Sequence, residues 1–193
     1  MKQSLPRYLL LLIILLLISS CISPLKQYYP DKFYHEDSIY ENKQLRFLIT
    51  YSSSWYLFTN PKELDRKTQA VYRSFHKSGM ELLYAGATTD GLYGTRCIAG
   101  NFNIPIKTFA ENIQKANRNS LENDQGLNEF YAGPIPAVKW IYDQSGFRFA
   151  EYFFKIDTYD IRISFWTKAE LFQNYLDAFE LIMSTLTVTG PSL

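Results

Sequence analysis

The sequence predicts an α+β fold with a mainly antiparallel sheet and helices packed on its faces. Aromatic residues, which suit half-buried strands, are abundant, with 15 Tyr and 14 Phe among 193 residues. The C-terminal half contains apolar runs separated by tight turns at 143–146 and 157–158, which is typical of hairpins. The element order ββ-α-ββ-α-ββββ-α shows no regular βαβ alternation, so the strands are expected to pair antiparallel.

Eight strands are predicted from alternating or continuous apolar runs bounded by turn residues. They cover residues 45–51, 55–59, 80–87, 92–102, 128–132, 137–142, 147–156 and 159–166. The dipeptide Asp90-Gly91 predicts the turn between the third and fourth strands. Both faces of 147–156 are largely apolar, which indicates that this strand is covered on both sides.

Three amphipathic helices are predicted from apolar spacing and end signals. The first runs from an N-cap at Asn60, with Glu63 completing a capping box, to Gly79. The second begins at Pro105 and ends near residues 123–126. The third starts from a capping box at Thr167 and Glu170 and continues to 186, with a broad apolar stripe suited to the sheet.

The N-terminus carries the three parts of a secretory signal. Lys2 and Arg7 form a basic start, the ten residues 9–18 are all Leu or Ile, and Ser19-Ser20 provide small residues. As a helix, ten residues span about 15 Å, half of a hydrocarbon core of about 30 Å. A signal peptide over residues 1–20 is therefore favoured over a stable transmembrane helix.

The end of this segment, Ile18-Ser19-Ser20-Cys21, resembles the bacterial lipobox. The resemblance implies that Cys21 takes a diacylglyceryl group on its sulfur and becomes the acylated first residue of the mature chain. Several acyl chains give a stable membrane anchor, whereas one chain gives marginal binding. In a Gram-negative cell, Ile22 rather than Asp after the cysteine resembles the default sorting to the periplasmic leaflet of the outer membrane. The alternative is an ordinary secreted protein with a chance cysteine.

Residues 21–44 are interpreted as a tether, because Pro24 and Pro30 interrupt them and no strand or helix period is visible. A flexible chain of this length has an end-to-end distance of about 25 Å. The globular domain is then predicted to cover residues 45–190. The other cysteine, Cys97, lies in an apolar run and is interpreted as a small buried residue rather than a reactive thiol.

The pattern Phe47-x-Ile49-x-Tyr51-Ser-Ser-Ser-Trp55 resembles the opening motif of the PsbP-like family. The segment 133–137 before a strand, the hairpin 147–166 and the final helix also fit that family. The resemblance implies an α/β/α sandwich around an antiparallel sheet. Because the family serves mainly as binding and assembly modules, it also implies a binding role rather than a particular activity.

Composition and motifs exclude several function classes. The formal charge of +1 becomes −1 when Lys2 and Arg7 leave with the leader, so nucleic-acid binding is not expected. His35 and His76 lie in no metal-ligand spacing, and no phosphate-binding loop, dinucleotide fingerprint or nucleophile elbow is present. No catalytic residue, metal or cofactor is therefore predicted.

Two features are candidates for binding. Four basic residues fall on one face of the first predicted helix, within about 60° of each other, and would meet anionic headgroups or an acidic partner unless they are simply solvated. They are Lys62, Arg66, Arg73 and Lys77. A surplus of aromatic residues indicates either core packing or a groove for an apolar ligand or peptide. These are Tyr28, Tyr29, Tyr34, Trp55, Trp140 and Trp166.

The leading hypothesis is thus a lipid-anchored, non-enzymatic envelope lipoprotein that binds or supports another envelope component. The membrane, through the acyl anchor, and an envelope protein are the predicted partners. A carrier or sensor of a small apolar ligand is the first alternative, and an envelope hydrolase is the second.

Overall fold

Eleven strands and three α-helices form between residues 32 and 190, the part of the chain that a computed structural model describes. The strands are β1 (Lys32–Tyr34), β2 (Ile39–Asn42), β3 (Phe47–Thr50), β4 (Trp55–Phe58), β5 (Met80–Thr88), β6 (Gly94–Gly100), β7 (Asn123–Ala132), β8 (Ile135–Gln144), β9 (Phe147–Ile156), β10 (Tyr159–Lys168) and β11 (Thr187–Val188). The helices are α1 (Arg66–Lys77), α2 (Ile106–Asn117) and α3 (Leu176–Ser184). Both sheets are antiparallel, which confirms the predicted α+β class.

The larger sheet has seven strands in the order β4-β5-β6-β10-β9-β8-β7. Its C-terminal half is a meander of long hairpins, as the sequence predicts, and β6 pairs with the far side of β10. The turns use backbone conformations with positive φ, at Ser145-Gly146 between β8 and β9 and at Asp157 between β9 and β10. Such conformations match the right-handed twist of paired strands and fix their register.

One face of this sheet carries the main core. The inward row of β10, which includes Ile163 and Phe165, packs with the small sheet β1-β2-β3-β11 and with α3. Phe179 of α3 stacks on Phe165 with ring centroids 4.9 Å apart. Layering a second sheet and a helix on one face removes large aromatic side chains from water, and this burial is the main stabilising force.

The opposite face is covered by α1 and α2. Phe109 and Ala110 of α2 pack on Trp140 and Phe153, which project from β8 and β9. Helix α1 packs against β5 further along the sheet. Helices therefore lie on both faces of the sheet, as predicted.

The predicted tether is wrong for its second half, because β1 and β2 lie within residues 32–44 and pair with β3. Phe33 and Tyr40 are buried in the main core. Strands of three and four residues are too short for a visible period, and their stability comes from tertiary contacts rather than local sequence. The globular unit accordingly begins before residue 45.

The predicted start of the first helix at Asn60 is also wrong. Asn60 instead caps a short 3-10 turn at Pro61–Glu63, accepting a hydrogen bond from the backbone N–H of Lys62 at 3.0 Å. The helix begins after Asp65, whose carboxylate accepts the N–H of Lys67 at 2.8 Å. Asp65 therefore takes the N-terminal role assigned to Asn60.

Two further boundaries differ from the prediction. Residues assigned to the end of the second helix begin β7 at Asn123, and the predicted capping box at Thr167 does not form. Strand β10 extends to Lys168, and the Thr167 hydroxyl donates to the carbonyl of Leu92 at 3.0 Å. The last helix starts only at Leu176, after a 3-10 turn. Strand pairing has thus replaced the local capping signal.

Candidate functional site

The predicted signal peptide 1–20, the lipidation residue Cys21, and Tyr28 and Tyr29 lie outside the described residues. Between residues 32 and 190, none of the helices is both long enough and apolar enough to cross a membrane. Anchoring through Cys21 therefore stays a prediction from the sequence.

The predicted basic stripe is divided between two elements. Lys62 lies on the 3-10 turn, whereas Arg66, Arg73 and Lys77 lie within about 40° of each other on α1. All four side chains are exposed, and none forms an ion pair within residues 32–190. Three cations thus share the outer face of the helix, and their contact with headgroups or a partner stays a prediction.

Beneath α1 lies a cleft of about 590 Å³, here called the α1 cleft. Val71 and Phe75 of α1, together with Leu64 just before the helix, form one wall, and the sheet forms its floor. The floor residues are Phe58, Leu82, Ala85, Gly86, Ala87, Thr95, Arg96 and Trp166, and Glu63, Asp65 and Lys67 stand at the rim. Pockets for small molecules have volumes of about 300–1,000 Å³ and mainly apolar walls, so the α1 cleft has the dimensions of a binding site.

Trp166 packs onto a glycine of the neighbouring strand, which leaves room for the indole in the cleft. The indole lies directly over Gly94, where an added Cβ would come within 2.2 Å of the ring. The Arg96 guanidinium lies over the same indole, with Cζ 5.8 Å from the ring centroid. A cation over an aromatic face is attracted by the ring quadrupole, so Trp166 and Arg96 fix each other in place.

Arg96 belongs to a buried ionic cluster, defined by Arg96, Glu151, Arg162, Ser164 and Tyr142. Arg162 donates two hydrogen bonds to Glu151, from Nε to Oε2 at 2.7 Å and from Nη2 to Oε1 at 2.6 Å. The Tyr142 and Ser164 hydroxyls also donate to this carboxylate, at 2.9 and 2.6 Å. Glu151 is completely buried, so its charge is compensated entirely by these neighbours.

The pKa values in this cluster follow from burial and from the two guanidinium groups. Burial alone would raise the pKa of Glu151, but the charge and hydrogen bonds of Arg162 lower that pKa to about 2. Burial, followed by the charge of Glu151, raises the pKa of Tyr142 above its usual range. At neutral pH the cluster therefore holds two guanidinium cations, one carboxylate and a neutral phenol.

A second cleft, of about 460 Å³, lies on the other face of the sheet beside α3 and is called the α3 cleft. Trp55, Tyr93 and Tyr175 line it, and the rings of Tyr93 and Tyr175 pack at a tilt of 39° with centroids 4.0 Å apart. Deeper, the hydroxyls of Tyr51 and Tyr84 share a hydrogen bond at 2.6 Å. Burial raises the pKa of both phenols, which keeps them neutral.

The aromatic residues singled out in the sequence thus have separate roles. Trp55 lines the α3 cleft and Trp166 lines the α1 cleft, whereas Trp140 is buried and donates its indole N–H to Asp124 at 2.8 Å. Tyr34 donates its hydroxyl to Glu41 at 3.0 Å. Two of the four described aromatic candidates therefore line cavities.

The histidines and Cys97 lie apart from one another. His35 packs between Phe33 and Tyr56, and His76 contacts Glu81 through Nδ1. Cys97 is fully buried on β6, which confirms its interpretation as a packed residue. Among residues 32–190, no group of three or more His, Cys, Asp or Glu side chains is arranged to hold a metal ion.

Arg96 is not among the binding residues predicted from the sequence, although the sequence contains one signal for it. It is a single charged residue inside the apolar run 92–102, and a charge in such a run requires a partner or solvent access. The partner, Glu151, is remote in sequence, so local pattern does not reveal it.

Comparison of the described fold with solved structures finds the solution structure of cyanobacterial PsbP (CyanoP) from Synechocystis sp. PCC 6803. It matches with a TM-score of 0.52 and 10% sequence identity, over 86% of this chain and 99% of that chain. The fold is PsbP-like.

A crystal structure from Bacteroides thetaiotaomicron also matches, with a TM-score of 0.42 and 13% identity over 76% of this chain and 46% of that one. No family model matches the sequence. No curated protein matches it either. At 10% identity the PsbP similarity concerns the fold alone, and it includes the predicted sandwich of helices around an antiparallel sheet.

Proposed function

We propose that this protein is a lipid-anchored, non-enzymatic binding module of the bacterial cell envelope, which holds another envelope component in the α1 cleft. The observation that carries the proposal is the cleft itself. It is an apolar space of about 590 Å³ that combines a partly exposed helix wall with a guanidinium on its floor. Apolar walls with a few placed polar groups are the usual composition of a binding site.

The distribution of polar groups supports binding rather than catalysis. Among residues 32–190, the two fully buried carboxylates, Glu151 and Asp160, form internal ion pairs with Arg162 and Lys155 respectively. A general acid or base must reach the reacting group, and internally paired carboxylates do not reach a substrate. The exposed helical residues beside the cleft, by contrast, are suited to contact a partner.

The predicted anchor supports the envelope location, and its test is independent of the cleft. Labelled palmitate is expected to enter the full chain and to be absent from Cys21→Ser, which should also leave the N-terminus uncut. Incorporation of label into the Cys21→Ser chain would overturn the anchoring.

Binding in the cleft is tested by site-specific photo-crosslinking in cells. A photoreactive phenylalanine at Val71, which is 46% exposed and lines the cleft, is expected to give a discrete adduct. The matched control is Tyr131, a 67% exposed aromatic residue on the edge strand β7, which should give none. Equal adducts at both positions, or none at Val71, would contradict the proposed site.

A carrier or sensor of a small apolar ligand is the second candidate. The presence of two clefts with mainly apolar walls, of about 460 and 590 Å³, favours it over a fully packed sandwich. Mass spectrometry of the adduct at Val71 distinguishes the two, because a protein partner and a small lipid-like molecule differ in mass.

A further inference from the structure

Arg96 presents hydrogen-bond donors to the α1 cleft. Of its guanidinium N–H groups, Nε–H donates to the Ser164 hydroxyl at 3.1 Å. Its Nη2 lies 3.7 Å from the nearer oxygen of Glu151, too far for a hydrogen bond. Within the described residues the outer N–H groups of Arg96 therefore have no hydrogen-bond acceptor, and the side chain retains 27% exposure at the cleft floor.

The charge of Arg96 is also incompletely compensated. Arg162 occupies both oxygens of Glu151, so this pair is neutral and Arg96 contributes one excess positive charge at the floor. The floor is apolar and shielded, and a charge there acts more strongly than one in bulk water. An anion entering the cleft would remove this imbalance.

The acidic residues at the rim are exposed, so solvent and salt screen their charges more strongly than the charge of Arg96 at the floor. Asp65 directs its carboxylate to the backbone N–H of Lys67 at the start of α1. Glu63 is exposed on the 3-10 turn, where solvent and salt screen its charge. Lys67 also lines the cleft at this rim and adds a positive charge there.

The remaining surface of the cleft suits a hydrocarbon chain. Val71, Phe75 and Leu82 line it, and Trp166 forms one end beside Arg96. Val71 is 46% exposed, so a ligand that covers it removes apolar surface from water, which favours binding. A ligand that matches both the Arg96 guanidinium and the apolar lining has a single anionic group joined to an apolar body.

We propose that the α1 cleft binds an alkyl carboxylate, with the carboxylate on Arg96 and the chain along α1. This inference rests on the proposed binding function of the cleft. A carboxylate fits the guanidinium fork and carries one charge, which equals the excess on the floor. A phosphate monoester carries about −1.5 to −2 at neutral pH and would leave negative charge without a partner.

The test compares octanoate with 1-octanol on the membrane-extracted protein in phosphatidylcholine nanodiscs at neutral pH. The readout is the indole ¹H–¹⁵N NMR signal of Trp166, which reports occupancy of the cleft and not partition into the bilayer. Trp140, which is buried against α2 and does not line the α1 cleft, serves as an internal reference. Octanoate is expected to bind roughly 10- to 100-fold more tightly than octanol, the range for hydrogen bonds to charged groups.

The variants separate charge from shape. Arg96→Met leaves the neutral pair of Arg162 and Glu151 intact and is expected to abolish the preference while octanol still binds. Ala85→Leu fills the floor and should weaken both ligands, whereas Ala178→Leu, a matched change in the α3 cleft, should weaken neither. If Arg96→Met fails to fold, Arg96→Lys keeps the charge without the fork and should reduce the preference.

The outcomes distinguish the two proposals. Selective binding of octanoate that depends on Arg96 supports the inference. Equal binding of both ligands, blocked by Ala85→Leu, overturns the carboxylate inference and leaves the cleft as a binding site. Absence of any Trp166 shift with either ligand overturns the carboxylate inference, and loss of the Val71 adduct as well overturns the proposed function.

Discussion

Replacing Glu151 by Gln should be among the most destabilising isosteric changes in this protein. The carboxylate is completely buried and is the only acidic side chain within 4.0 Å of Arg96 or Arg162 among the described residues. Glutamine preserves the shape but removes the charge. The positive charges of Arg96 and Arg162 would then have no neighbouring negative charge within residues 32–190. Two such charges destabilise the folded state in a medium of low dielectric constant.

The magnitude follows from the pKa of Glu151. A folded pKa of about 2, against an ordinary value of 4.5, corresponds to about 3 kcal/mol of stability. Because the folded pKa is lowered, this stability is present above about pH 4.5 and is lost as the pH falls toward 2. Removing one partner of a buried ion pair costs about 3–5 kcal/mol, so the two arguments agree on the expected loss.

The assay is urea unfolding of a chain starting at Ile22, followed by tryptophan fluorescence between pH 7 and pH 2. Glu151→Gln is expected to lose about 3–5 kcal/mol at neutral pH and to show a weaker pH dependence below pH 4.5. Glu111→Gln, an exposed change on α2, is the matched control and should stay within about 0.5 kcal/mol of the parent chain.

Comparing the stability of variants at the two arginines tests this reasoning further. Arg162→Met removes the guanidinium that binds both carboxylate oxygens, whereas Arg96→Met leaves a neutral pair. We expect the first to be destabilising by at least about 2 kcal/mol more than the second. A Glu151→Gln chain that unfolds within about 1 kcal/mol of the parent, or two arginine variants of equal stability, would show that this cluster is not compensated as described.

Three further predictions concern packing and local hydrogen bonds. Gly133→Ala should lower stability by about 2 kcal/mol or more in urea unfolding, because the residue has φ +55° and a Cβ would lie 2.0 Å from the Leu186 carbonyl oxygen. Thr185→Val should cost about 1–3 kcal/mol in the same assay, since the Thr185 hydroxyl accepts the Thr50 backbone N–H at 2.9 Å. Cys97 should react with a thiol reagent only at the rate of unfolding, because it is fully buried, and rapid labelling of the native chain would contradict its placement.

The hairpins of the large sheet were predictable because their signals are local. Strand β9 shows apolar residues on both faces, and the following turn has Asp157 at positive φ, a conformation that Asp tolerates. The boundaries of the final helix were not predictable in the same way. Thr167 and Glu170 have the spacing of a capping box, but pairing of β10 with β9 extends the strand through Lys168.

The candidate site was predictable only in part. Trp166 and the basic residues of α1 are visible in the sequence as aromatic and charged patterns. The role of Arg96 depends on β6 lying beside β10 and on β10 lying beside β9, which brings Glu151 next to it. Such pairings between distant segments are a property of the sheet topology, and no local window of the sequence contains them.

The incorporation of β1 into the small sheet constrains where the protein can operate. Only residues 22–31 separate Cys21 from Lys32, the first residue of β1. Ten residues span at most about 36 Å when fully extended. For a chain held at Cys21, the first strand therefore never lies further than about 40 Å from the anchoring lipid. With the proposed acyl anchor at Cys21, the domain would therefore bind only components at or near the membrane surface.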